Sequence, residues 1–309
     1  MTIQEISRKL NSDIHERIFQ SNHFESTFGD YEKCFTSLDV IEDSEDAIDE
    51  FLDLPESNMP KRSVLYIYGV LQAMYCQQDG LFSLHQNISK LEFKKQNDFF
   101  NYFEFNRDIR EIRNDIAGHP TSRKGNSEFY FIDKGPNSKF GFSYAGYKPE
   151  FRVVEVDLKH LIEEQRKFSQ KVLKEVENII KRTVKEHKEE HKTKNLYSII
   201  SNLNYSIQLI KRGIHDSQRS FQAEAGFKIV SDKISEFLDE LKLRYNDSIP
   251  ESIEDTSGTI NYILNRVSKW YDDGELLENK DARIFMIAFD KEFDDLKQMA
   301  KEIDLEYTT

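Results

Sequence analysis

Ile3, Ile6, Leu10, Ile14 and Ile18 recur at steps of three and four over residues 2–24, which predicts an amphipathic helix. Residues 39–60 are acidic and end in Pro55 and Pro60, predicting a short acidic helix and then a loop. Residues 61–92 predict a long helix. From Val64 to Cys76 it is apolar on nearly every face, interrupted by Gln72, as a central buried helix is. It turns polar at Gln77, Gln78 and Asp79, which either line a site or mark the exit of the helix to solvent. The next helix spans residues 97–117, with Asn97 or Asp98 as cap and Phe105, Ile109, Ile112 and Ile116 as its apolar stripe. Gly118 and Pro120 end it in the order a helix stop prefers.

The pattern then changes period. SEFYFID, KFGFSYAGY and EFRVVEVDL, within residues 128–157, read as strands separated by turn residues at 134–138 and 148–149. They predict a small antiparallel sheet inserted in a helical protein. Residues 158–195 return to helix, with Leu161, Phe168, Val172, Val176, Ile179 and Ile180 on the buried face and a terminal KEHKEEHKTKN that has no apolar face. Residues 196–309 predict three or four more helices, broken near Gly213, 246–250 and 272–274. The fold class is therefore mainly α: a helical bundle with a β insertion over 1–195, then a C-terminal helical domain over 196–309.

Composition narrows the class. Among 309 residues, 23 Phe and 14 Tyr can fill cores, and 12 Gly and 6 Pro leave few breaks. Cys34 and Cys76 make no disulfide framework and show no metal-ligand spacing, and the polar N-terminus carries no signal-peptide core. No stretch reaches the length of a membrane span, so a reducing cytoplasm is the default. The net charge of −13 speaks against nucleic acid, but it is unevenly spread. Residues 1–60 carry 4 Lys/Arg against 15 Asp/Glu, residues 61–245 carry 32 against 25, and residues 246–309 carry 7 against 16. A mildly basic middle lies between acidic flanks.

The candidate chemistry lies in RDIREIRNDIAGHP, from Arg107 to Pro120. With Ile109 at zero on a helical wheel, Ile112 falls near about −60°, Ile116 near about −20° and Arg113 near about +40°. Arg113 thus sits inside the apolar stripe, Arg110 on its edge, and Arg107 points away. A charge in an apolar stripe needs a partner or a task. His119 would lie about 120° from Arg113 on a continuous helix. Gly118 permits a left-handed turn and Pro120 forbids further helix, so the break can swing His119 back towards the guanidinium. Arginine binds phosphate oxygens with a fork of donors, and histidine serves as general acid or base. In RNA the 2′-hydroxyl already provides a nucleophile, so no metal or other cofactor is required. The alternative is structural: Arg113 as an ion-pair partner of Asp79 or Asp115, and His119 as a helix C-cap favoured by the dipole.

The string Arg113-Asn114-Asp115-Ile116-Ala117-Gly118-His119 resembles the R-x(4–6)-H motif of the HEPN ribonuclease superfamily, in which a polar residue commonly follows the arginine. The apolar helix before it, its place at a helix end and the long helix after it agree with that family over residues 1–195. The resemblance implies a HEPN-like bundle and a homodimer whose two motifs face each other in one composite, metal-independent site. It further implies a toxin or anti-phage defence effector acting on RNA. By the same resemblance His119 is the general acid or base, Arg113 binds the phosphate, and Asn114 orients the pair or contacts the backbone. Asp79 and Arg110 would support them, Asp79 as a partner of Arg113 or else as a plain surface carboxylate.

Ser122, Arg123, Lys124 and Gly125 form either an RNA-binding loop or an ordinary one. His187 and His191 have metal-compatible spacing on a helix, but their Lys/Glu surroundings read as a solvated face. Two other functions fit the composition. One is a non-catalytic HEPN-like module for protein interaction or nucleotide sensing. The other is a regulatory subunit that neutralises a basic partner protein through residues 39–56.

Overall fold

The structure, a computed structural model, describes residues 1–15, 22–56, 64–123, 128–133, 138–148, 150–215, 220–277 and 279–308. The fold is mainly α with one small antiparallel sheet. The chain forms two compact units, 1–16 with 27–182, and 17–26 with 183–309. The division falls inside a helix, earlier than residue 195, and a short N-terminal piece goes with the second unit.

In the first unit, α1 (Ile3–Ile14) starts in a capping box: Glu5 N donates to Thr2 Oγ1 (3.1 Å) and Thr2 N to Glu5 Oε2 (2.8 Å). Ile3, Ile6, Leu10 and Ile14 are buried as expected, and Ile18 lies outside the described residues. After α2 (Asn22–Thr27), the acidic segment belongs to a long helix, α3 (Tyr31–Asp53), rather than a short one. Leu38, Ile41, Ile48 and Phe51 keep an apolar stripe through the acidic residues and bury it.

The next helix, α4 (Val64–Ser89), packs along α3 but is not buried all round. Leu65, Tyr68, Gly69 and Gln72 form an exposed stripe, with Leu65 78% exposed and open space where a side chain at Gly69 would stand. Gln77 and Gln78 neither line a site nor leave the core. They are fully buried and hydrogen-bonded inward. Gln77 Nε2 donates to Glu45 Oε2, Gln165 Nε2 to Gln77 Oε1, and Gln78 Nε2 to Gln165 Oε1, each at 2.8 Å. Arg166 pairs with Glu45 at 2.7 Å. Burial pushes the Glu45 carboxyl up, opposed by Gln77 and Arg166.

The helix expected over 97–117 is broken. Its first part, α5 (Gln96–Tyr102), is capped at Lys95, whose N–H donates to Asp98 Oδ2 (3.2 Å), so neither Asn97 nor Asp98 is the cap residue. Glu104 takes a left-handed φ of 56°, and α6 (Asp108–Arg113) follows. The break lets Phe105 leave the helical stripe and stack on Phe168, with centroids 4.1 Å apart, in a cluster with Phe99, Phe100 and Phe103.

Strands β1 (Phe129–Ile132), β2 (Gly141–Lys148) and β3 (Glu150–Asp157) form the expected antiparallel sheet in the order β1-β2-β3; the turn residues 134–137 and Pro149 lie outside the described residues. Phe142, Tyr144 and Val156 bury one face against Ile67, Met74, Ile109, Ile112 and Ile116. The final helix, α7 (Leu158–His191), returns along α4 through Gln165 and Ser169.

The second unit holds α8 (Leu196–Ser201), α9 (Asn204–His215), α10 (Ser220–Tyr245), α11 (Glu251–Asp272) and α12 (Lys280–Thr308). Gly213 lies buried inside α9 instead of breaking it, whereas breaks do follow Tyr245 and Asp272. Arg244 is fully buried, pairs with Glu240 (3.3 Å) and Asp304 (3.5 Å), and stands over the Tyr307 ring. His187 and His191 are not a solvated face: His187 Nε2 lies 3.0 Å from the Tyr307 hydroxyl, and His191 Nδ1 lies 3.4 Å from Glu240 Oε1. Among the described residues no cluster of metal-ligating side chains occurs, and no helix is long and apolar enough to cross a membrane.

His85 gives the first unit a pH dependence. Its ring is buried among Phe93, Phe99 and Phe103, with Nε2 3.0 Å from Glu175 Oε1. Burial pushes the imidazole down, against Glu175. The unfolded chain therefore takes up this proton more readily than the folded one. The contribution of His85 is fully present above the unfolded value of 6.5 and is lost as pH falls towards the folded one. Urea unfolding between about pH 7.5 and about pH 5.5 should show stability falling with acid, and His85→Asn should flatten that slope.

Candidate active site

The site is built where α6 runs out. Ile109, Ile112 and Ile116 anchor one side in the core, as the wheel predicts, and this turns Arg110 and Arg113 towards α4. After Arg113 the backbone widens into one π turn, Asn114–Gly118. His119 N closes it by donating to the Asn114 carbonyl at 2.9 Å, five residues back. The turn is right-handed. Among the described glycines only Gly274 has a positive φ, so Gly118 does not supply the left-handed conformation expected of it.

Gly118 supplies room. A Cβ there would lie 2.8 Å from Arg113 Nη1 and 3.1 Å from Asn114 Oδ1. The guanidinium folds back over Gly118, the residue joined to His119, whose side chain is exposed. Arg113 donates through Nε (3.0 Å) and Nη2 (2.9 Å) to Gln72 Oε1, and through Nη1 to Asn114 Oδ1 (3.1 Å). It also stands 4.5 Å above the Tyr75 ring. Arg113, Asn114 and the His119 backbone thus meet at one exposed helix end.

Asp79 is not the partner of Arg113. Its Oδ1 accepts from Arg110 Nη1 (2.9 Å) and Gln96 Nε2 (2.6 Å). The reason is helical register. Gln72, Tyr75 and Asp79 lie on one face of α4, while Arg113 and Arg110 lie one turn apart on α6, so the two rows meet in reverse order. Tyr75 sits between them, with Arg110 Cζ 3.9 Å from its centroid. Asp115 does not hold Arg113 either. It turns to Arg123, which donates to Asp115 Oδ1 (2.8 Å) and Glu111 Oε2 (2.6 Å). Arg123 is therefore committed to two carboxylates rather than offered to RNA, and Lys124 and Gly125 lie outside the described residues. Burial pushes the Asp115 carboxyl up against the pull of Arg123, and burial followed by Asp115 pushes the Tyr144 phenol up to about 12.

The chemical difference between the arginines follows. Arg110 and Arg123 are neutralised by carboxylates. Arg113 is held by two neutral amides and a ring, and among the described residues no carboxylate pairs with it. Its position is fixed while its charge remains available to an anion. Gln72 and Tyr75 are the members of this candidate site that sequence reasoning missed. Their signal was the lone polar position in the apolar run and its three- and four-residue spacing to Asp79. No protein-family model, no curated protein and no solved structure matches the chain.

Gly118→Ala tests this geometry. The new methyl should displace the Arg113 guanidinium, the flexible end of a side chain, without disturbing the core. Expected are an unchanged far-UV circular dichroism spectrum and a shifted Arg113 Nε–H NMR resonance. Asp79→Asn should cost no more than about 1 kcal/mol and leave that resonance in place.

Proposed function

We propose that the chain is a metal-independent endoribonuclease of the HEPN superfamily, assembled from two copies whose motifs face each other. The observation that carries this reading is Arg113, a guanidinium positioned by Gln72, Asn114 and Tyr75 and paired with no carboxylate among the described residues, at the helix end that bears His119. A cation held ready for an anion, at a helix end that also bears an exposed histidine, suits phosphodiester cleavage. One His119 removes the proton from a 2′-hydroxyl, and the oxygen forms a bond to phosphorus. Arg113 receives the charge that grows on the phosphoryl oxygens. The bond from phosphorus to the 5′-oxygen breaks, and that oxygen takes a proton from the second copy's His119. The products are a 2′,3′-cyclic phosphate and a 5′-hydroxyl.

The exposed α4 stripe of Leu65, Tyr68 and Gly69 leads to Gln72 and supports pairing of two copies beside the site. A toxin or anti-phage effector is the role this activity suits, with the second unit serving substrate choice or a regulatory partner. A second reading, a non-catalytic interaction module, is favoured by the net charge of −13 and by the internal pairing of Arg123.

The test is cleavage of total RNA in EDTA by the full chain. Arg113→Ala and His119→Ala should each lower the rate by about a hundredfold or more with folding intact. Leu65→Glu should shift the mass in light scattering to a single copy and lower cleavage with it. Equal cleavage by all the proteins would assign it to a contaminant and remove the reading.

A further inference from the structure

The sheet buries one face in the core and opens the other to solvent. Phe129, Phe131, Tyr147, Phe151 and Val153 on the open face are each between 45% and 55% exposed. The register makes this face ordered. Phe129 lies opposite Tyr147, and Tyr147 opposite Phe151, so one row of three aromatic rings crosses all three strands. Phe131, Ala145 and Val153 form the next row, with the buried Ala145 between two larger, exposed neighbours. Directly opposed residues of antiparallel strands share a face, and the Tyr147 and Phe151 rings lie 5.4 Å apart.

This face is joined to the candidate active site by backbone. Tyr130, between Phe129 and Phe131, donates its N–H to the carbonyl of Pro120 at 2.7 Å, and Pro120 follows His119. The connection is fixed further by the Arg123–Glu128 bridge. On the inner face the Tyr130 ring lies across Gly146, where a Cβ would come within 2.3 Å of it, so β1 is seated closely on β2. The aromatic rows therefore begin one residue from the strand position tied to the end of the motif.

We propose that this face is a stacking platform for unpaired bases of single-stranded RNA, the strand whose phosphate lies at Arg113 and His119. The identity of the strand rests on the ribonuclease reading above. Flat aromatic side chains stack on any exposed base and so hold a strand without reading its sequence. A duplex keeps its base faces inside its own stack, so the platform selects single strands and loops. The patch is aromatic where it lies closest to the motif, and Glu155, opposite Ser143, closes its far end with a charge that repels phosphate.

The experiment uses the full chain and a fluorescein-labelled 2′-O-methyl RNA, in which the nucleophile is blocked and binding is read without cleavage. Anisotropy titrations compare wild type, Phe131→Ala, Phe151→Ala, Phe151→Leu and Phe151→Trp on single-stranded and duplex probes. Each ring removal should weaken single-strand binding by about tenfold, with little change on the duplex. Phe151→Trp should retain binding and Phe151→Leu should lose it, which separates stacking from plain hydrophobic contact. Affinity indifferent to all four substitutions overturns the proposal, and so does a change of mass in light scattering, which would mark the face as a contact between copies. The two readings fail separately. Normal cleavage with ring-independent binding removes the platform and leaves the nuclease. Ring-dependent binding by a wild type that cuts nothing removes the nuclease and leaves the platform.

Discussion

The arrangement of the first unit depends on one buried polar contact, the relay Glu45–Gln77–Gln165–Gln78. Apolar side chains pack with some tolerance for sliding, but amide groups sealed from water do not. A donor or acceptor left unmatched there costs about 1–3 kcal/mol, so the rotation and height of α4 against α3 and α7 are set by the three amide bonds of the relay, with Gln78 Oε1 its one acceptor left without a partner among the described residues. That choice also fixes the outer side of α4. With Gln77 and Gln78 turned inward, Gln72 and Tyr75 stand where α6 passes, and the position of Arg113 follows from theirs.

Charge in the site is organised by pairing rather than by amount. Arg107, Arg110, Arg113 and Arg123 lie close in sequence, and three of them are balanced by Glu111, Asp79 and Asp115. The balanced ones brace α6 and the first strand. Arg113, which pairs with no carboxylate among the described residues, is oriented by groups that carry no charge, so fixing it in place does not weaken its field. Of the pairs around it, only Arg107–Glu111 is exposed on both sides and adds little stability; Arg110 and Asp115 are buried.

Much of the fold was legible because periodicity survives when an element packs on one side. Ile3 to Ile14 and the three strands show this. The long α3 was obscured by its acidic residues, although Leu38, Ile41 and Ile48 kept the period. The break at Glu104 could not be read from the string, since the pull on Phe105 comes from Phe168, far along the chain. At the site, the wheel placed Ile109, Ile112 and Ile116 in the core, but Arg113, expected inside their stripe, lies half-buried against α4, and the wheel could not name its partners. Those depend on which faces two helices present to each other, and Gln72 looked like a flaw in an apolar run. In the sequence Arg123 stands open between an RNA-binding loop and an ordinary one, because its carboxylates, Glu111 and Asp115, lie earlier in the chain and are brought to it only by the fold.

The widened turn at Asn114–Gly118 has a consequence for change over generations. One extra residue is accommodated by the backbone loop itself, and both ends of the segment keep their places, Ile112 in the core and His119 at the surface. Loss of one residue there would tighten the loop into an ordinary α turn without unseating the flanking core. Chain length between the arginine and the histidine is thus a quantity that can drift, whereas the core residues that flank the turn are held by packing.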